Sequence, residues 1–302
     1  MPGFFKNIGG KIKTGGGTSW QLAKKSFSAW WAMDPFRQSS IIAYYAIFSL
    51  PGLLVVVVTV AGAVFGADTV NDKVLGQVKS TMGAETADQI KVMLAKASES
   101  KSSIWATIIG ISTILLGSMG VFLELQKTMN LIWDVEAKPK KGVWGFFRGR
   151  LFSFGLILSI AFLLMVSLVI STLLAGASEL LRSDKSKILA LLFEAINFVA
   201  SLGVISFLFA LMFKFLPDTK IPWRQIWPGA LITGILFTIG KTALAFYFGK
   251  ADPGAGYGAA GSVVLILLWT SYSSMIVFLG AEFTHTYTIL HSPENRKKAN
   301  AA

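Results

Sequence analysis

Residues 229–248 read GALITGILFTIGKTALAFYF. A stretch of this length and composition crosses the ~30 Å hydrocarbon core of a bilayer as an α-helix. Lys241 is its only charge. A lysine within hydrocarbon costs about 3 kcal/mol or more, so it is expected to face a partner, a hydrated cavity or a ligand. The stretch decides the fold class, and its one charge is the first candidate for function.

The rest of the chain has the same character. Of its 302 residues, 53% are hydrophobic and 15% charged, against roughly 25% charged in a soluble domain. The apolar residues come in long blocks, and in lipid only helices or closed barrels satisfy the backbone. The reading is an all-α polytopic membrane protein with six transmembrane helices, at residues 40–66, 104–123, 151–176, 189–213, 228–248 and 261–283. Residues 1–19, rich in Gly and Lys, form a flexible tail. Residues 20–34 form an interfacial amphipathic helix. Trp20, Ala23, Phe27 and Trp30 recur there at helical spacing beside Lys24 and Lys25, and Asp34-Pro35 ends it. Residues 35–290 are the transmembrane domain, and residues 291–302 a C-terminal tail. The loop 67–103 is expected to cap the outer mouth with two short amphipathic helices. The N-terminus lacks the apolar core of a cleaved signal peptide, so the first span serves as the insertion signal.

Charge gives the orientation. With alternating loops, 18 Lys and Arg fall on the side of both termini and 9 on the other. The positive-inside rule therefore places both termini in the cytoplasm. The basic residues flank helix ends, where they bind anionic lipid head groups on the cytoplasmic face rather than nucleic acid. The chain has no cysteine and only two histidines, His285 and His291, both near the C-terminus. That excludes a disulfide framework, a thiolate metal site and a His-rich metal site in the membrane. No cofactor or metal is expected.

The first helix carries Pro51-Gly52 in mid-span, within AYYAIFSLPGLLVVVV. Proline removes a backbone hydrogen bond, so the expectation is a kinked first helix, with Ser49 or a neighbouring helix serving the freed carbonyl. A broken helix lining a substrate site, with Tyr44, Ser49 and Pro51 beside it, is the functional alternative. The second helix has Gly110, Gly117 and Gly120, and the third has Gly155, Ser159, Ser167, Ser171 and Ala175, all read as close-packing positions.

Depth counting gives Lys241 a neighbourhood. It lies roughly 10 Å from the outer end of the fifth helix, and Glu194 roughly 8 Å from the outer end of the fourth. The two sit at similar depth on consecutive antiparallel helices. A Glu194–Lys241 pair or shared polar network follows, with Asn197 one turn below Glu194 and Thr238 and Thr242 making the Lys241 face polar. One reading is a structural ion pair that fixes register. The other is a site for an anionic head group or a proton-coupled relay. At the cytoplasmic ends, Glu124, Glu282 and Lys214 are candidates for a gate, with solvated helix ends as the plainer reading. The Gly-rich connection GKADPGAGYGAAGS is a flexible outer turn and lacks the pattern of a P-loop.

Several strings together resemble the YihY/BrkB family of bacterial inner-membrane proteins, formerly labelled ribonuclease BN. They are AYYAIFSLPGLL, LQKTMNLIWDV, FKFLPDTKIPWRQIWPGAL, Gly240-Lys241 and LLWTSYSSMIVFLGAEFTHT. The resemblance covers about residues 20–290 and includes Tyr44, Ser49, Pro51, Glu124, Asn130, Trp133, Pro217, Lys241, Gly280 and Glu282 as motif positions. One departure is that Pro51 directly follows Leu50, which shifts the expected kink by about one residue. The resemblance implies a six-helix protein of transporter or permease character, with links to serum resistance, virulence and envelope lipid handling. It assigns no chemical role to any residue. The expectation is an inner-membrane transporter for a lipid or anionic solute. The rival is a non-transporting envelope scaffold or assembly factor. Ribonuclease chemistry, and enzymatic activity generally, is not expected, because Asp134, Glu136 and Asp218 are scattered on short loops. Assembly as a homo-oligomer is left open.

Overall fold

A computed structural model describes residues 17–82, separate positions between 84 and 95, and residues 120–135, 187–251 and 253–290. The expected third span, most of the second, the second half of the capping loop and both tails lie outside the described residues. So do the side chains of Pro51 and Glu194.

The described chain is helical throughout, with no strand among the described residues. In chain order, α1 is Gly17–Ala32, α2 Pro35–Phe65, α3 Ala67–Met82 and α4 residues 120–132. Then come α5 Lys187–Phe215, α6 Trp223–Ala251 and α7 Gly261–Leu290. Three helices are long and apolar enough to cross a membrane: Ala195–Phe215 within α5, Trp223–Ala251 and Gly261–Leu290. They correspond to the expected fourth, fifth and sixth spans. Helix α2 coincides with the expected first.

Helix α1 ends where Asp34-Pro35 requires. Asp34 adopts a left-handed φ of 56°, and Pro35 is the first residue of α2, where its missing N–H has no intrahelical role. The helix docks on α7 rather than only lying in an interface. Leu22, Ser26 and Trp30, one turn apart, are buried, and the Trp30 indole Nε1 donates to the Met275 carbonyl at 3.1 Å. Trp20, Phe27 and Trp31 point outward, so the expected apolar stripe divides: Trp30 faces the bundle, while Trp20 and Phe27 face away from it.

Helix α2 stays helical through Pro51-Gly52. An unwound segment at that point is therefore excluded, and the interrupted-helix reading gives way to one continuous helix. Proline at 51 deprives the Ile47 carbonyl of its i+4 donor. Ser49 does not take up that role: its hydroxyl donates to Ala46 O at 3.3 Å. Gly66, at φ 88°, then turns the chain into α3, which packs back on α2 and α6. The Gly-rich connection between α6 and α7 includes a 3₁₀ turn at Ala255–Ala260.

The core sits at one end of the bundle. Met129, Ile132 and Trp133 of α4 and the turn after it meet Phe209 and Phe213 of α5, Ile226 and Ala230 of α6, and Phe278 and Ala281 of α7. Between α6 and α7 the packing is closer still. A Cβ placed on Gly229 would lie 1.8 Å from Thr284 Oγ1, and one on Gly280 would lie 1.8 Å from Thr233 Oγ1. Each threonine hydroxyl is satisfied by the carbonyl four residues back, Thr233 to Gly229 O at 2.7 Å and Thr284 to Gly280 O at 2.8 Å. Two Gly-x-x-x-Thr segments thus cross antiparallel, each threonine seated in the other's glycine notch. This is the small-residue packing by which membrane helices associate where lipid removes the hydrophobic drive. Gly120 follows the same rule against the Tyr45 ring.

Candidate functional site

Lys241 lies in the second half of α6, half-buried. Gly240 before it is buried against Tyr272 and Ile276 of α7, where a Cβ would come within 2.8 Å of the Tyr272 hydroxyl. The α6–α7 contact therefore continues up to the lysine and directs it away from α7. Toward α5, Gly234 packs on Ser206 and Leu202. In an antiparallel pair, Lys241, seven residues further along α6, stands level with residues 195–199 of α5.

Asn197 is in that window. Its amide oxygen is buried and has no hydrogen-bond partner among the described residues. Lys241 has neither a hydrogen bond nor an ion pair among them. Thr238 and Thr242, expected to share its polar network, turn inward on their own helix, bonding Gly234 O at 2.8 Å and Thr238 O at 3.1 Å. An ammonium and an amide oxygen thus stand at one depth in an apolar helix pair, each with hydrogen-bonding capacity to spare. Together they suit a polar or anionic guest. Tyr44, on α2, is exposed and stacks edge-on with Tyr45 and Phe48, apart from Lys241.

At the other end the three gate candidates have separate partners. Glu124 pairs with Lys127 at 3.3 Å. Lys214 donates to Ile221 O at 2.5 Å and lies over the Trp223 ring. Glu282 is 1% exposed, and its Oε1 lies 3.8 Å from Nδ1 of His285 and 3.5 Å from the Thr286 hydroxyl. No contact joins the three among the described residues.

Sequence reading missed two features here. His285 lies beyond the expected end of the last span at 283, but α7 runs to Leu290 and buries it beside Trp133, with ring centroids 5.9 Å apart. The i, i+3 spacing of Glu282 and His285 on a helix was the available signal. The second is a clamp on the α5–α6 turn. Asn130 Nδ2 donates to Asp218 Oδ2 at 2.9 Å, and the Asp218 amide donates back to Asn130 Oδ1 at 2.8 Å. Gln126 adds a bond to the same carboxylate at 3.3 Å. Asp218 is thereby a structural group. No set of three His, Cys, Asp or Glu among the described residues could hold a metal.

The family described as virulence factor BrkB matches residues 26–302. The chain belongs to that family. Among its relatives, a UPF0761 membrane protein of Verminephrobacter eiseniae is 27% identical over 75% of this chain and 53% of its own length. Another from Teredinibacter turnerae is 23% identical over 88% of this chain and 60% of its own. A third from Pseudoalteromonas atlantica is 23% identical over 85% of this chain and 82% of its own. The chain thus spans little more than half the length of the first two. No solved structure matches.

Proposed function

We propose that this BrkB-family membrane protein is a multi-pass transporter of the bacterial inner membrane. In this reading both termini are cytoplasmic, and the substrate is an anionic solute or a lipid with an anionic head group. The observation that supports it is the pair of polar groups at one depth, the Lys241 ammonium and the Asn197 amide oxygen, neither with a partner among the described residues. Lys241 supplies the charge that selects an anion, and Asn197 supplies an acceptor for a hydroxyl or amine of the same guest. The basic residues at the cytoplasmic helix ends hold anionic lipids, and no catalytic step is part of the mechanism.

The test is flux into proteoliposomes, with labelled phosphatidylglycerol and small organic anions as separate probes. Wild type should move one class, and Lys241→Met, reconstituted at the same density, should lose that flux. Absence of flux for every probe would reject transport. Full flux in Lys241→Met would reject the site.

The second reading is an envelope scaffold. A stable partner complex recovered from membranes, together with no flux in liposomes, would support the scaffold.

A further inference from the structure

Phe237 lies one turn, roughly 6 Å, below Lys241 on α6 and on the same side of that helix. Its ring meets Phe209 of α5 edge-on, with centroids 5.5 Å apart, and Trp269 of α7 at 6.3 Å. From Phe209 the series continues to Phe213 at 6.4 Å, and from Phe213 to Trp133 in the turn after α4, also at 6.4 Å. A run of paired rings thus joins α7, α6, α5 and the end of α4.

The bundle differs on the two sides of the Phe209–Phe237 pair. Toward α4 it is closed. Phe213 and Phe278 are fully buried, and the core cluster begins at Phe209 on α5, Ala230 on α6 and Val277 on α7, all on that side of Lys241. At the level of Lys241 itself, α5 exposes Ile196, Phe198 and Val199.

Exposed aromatic residues give the depth. Trp223 and Trp227 stand near the start of α6, and Phe246 and Tyr247 near its end. Aromatic side chains collect at the two membrane–water interfaces. From Trp227 to Phe246 is roughly 28 Å of helix, close to one hydrocarbon thickness. Lys241 is then roughly 8 Å from the nearer interface and roughly 21 Å from the farther one. The Phe209–Phe237 pair lies on the longer route.

We infer that the Phe209–Phe237 ring pair is the closed gate of the Lys241 site, and that the site takes its guest from the side of the α6–α7 connection. The inference rests on the reading of Lys241 as an anion site. An anion that crosses packed rings gives up its hydration and receives no hydrogen bond in exchange, so the pair is a barrier while it stays closed. The two rings belong to different helices. A shift of α5 against α6 parts them, and passage to the α4 end requires that shift.

Lys241→Cys in this cysteine-free chain reads the access, with a negatively charged, membrane-impermeant thiosulfonate added to right-side-out and to inside-out membrane vesicles. Tyr257→Cys, beside the α6–α7 connection, and Lys24→Cys, on α1, are both exposed and mark the two sides. The cysteine at 241 should react about tenfold faster from the Tyr257 side than from the Lys24 side. Adding Phe237→Ala should raise the slower rate about tenfold, and Phe209→Ala takes its place if that variant does not fold. Equal rates from the two sides, or a faster rate from the Lys24 side, overturn the inference and leave the anion site standing. A slower rate that neither alanine raises does the same. No reaction from either side rejects the anion site itself, and the gate with it.

Discussion

Thr284 occupies the space that a side chain at Gly229 would need. A Cβ there would lie 1.8 Å from the threonine hydroxyl, and Thr233 bears the same relation to Gly280 four residues along each helix. The reciprocity locks α6 and α7 in one register. It also sets Gly240 against Tyr272 and so fixes where Lys241 emerges.

Gly280→Ala should destabilise the bundle by about 1–3 kcal/mol, the usual cost of overpacking a closed contact. Thermal unfolding of the detergent-solubilised protein, followed by tryptophan fluorescence, reads the loss. Adding Thr233→Gly empties the facing position and should recover part of it. Equal instability in the single and double variants would show that the notch is not the cause.

Asn130→Ala removes both side-chain bonds to the α5–α6 turn and leaves the Asp218 amide and carboxylate short of partners. A loss of about 1–3 kcal/mol is expected, with faster deuterium exchange confined to residues 216–222. Unchanged exchange in that turn would remove the clamp from the account.

The orientation is testable because the chain has no cysteine. A cysteine replacing Lys24 should react with a membrane-impermeant thiol reagent only after the cells are opened. One replacing Tyr257, exposed in the 3₁₀ turn, should react in intact spheroplasts. The reverse pattern would invert the topology.

How far the sequence could be read follows from what each residue depends on. The apolar block around Lys241 announces a span by length alone, and α6 covers it. Asp34-Pro35 announces a helix end through local backbone chemistry, and α1 stops two residues before it. The Gly229–Thr284 notch depends on which helix faces which, information carried by tertiary register rather than by either segment. His285 escaped because a span was ended at 283 on hydropathy, whereas α7 continues to Leu290 as a helix held by buried Thr284, His285 and Thr286. Pro51 was expected to kink its helix, with a break as the alternative, and one lost hydrogen bond does not unwind a helix of 31 residues. Depth counting set Lys241 at a similar depth to Glu194 with Asn197 one turn below, whereas the α5–α6 register sets it level with residues 195–199.

The central claim is that Lys241 faces a hydrated site that admits an anion. The most direct measurement is the reaction of Lys241→Cys, in this cysteine-free chain, with a negatively charged, membrane-impermeant thiosulfonate in native membranes. The account predicts modification, slowed by the anion proposed as the substrate. A cysteine at 241 that reacts only after the protein is denatured would contradict it.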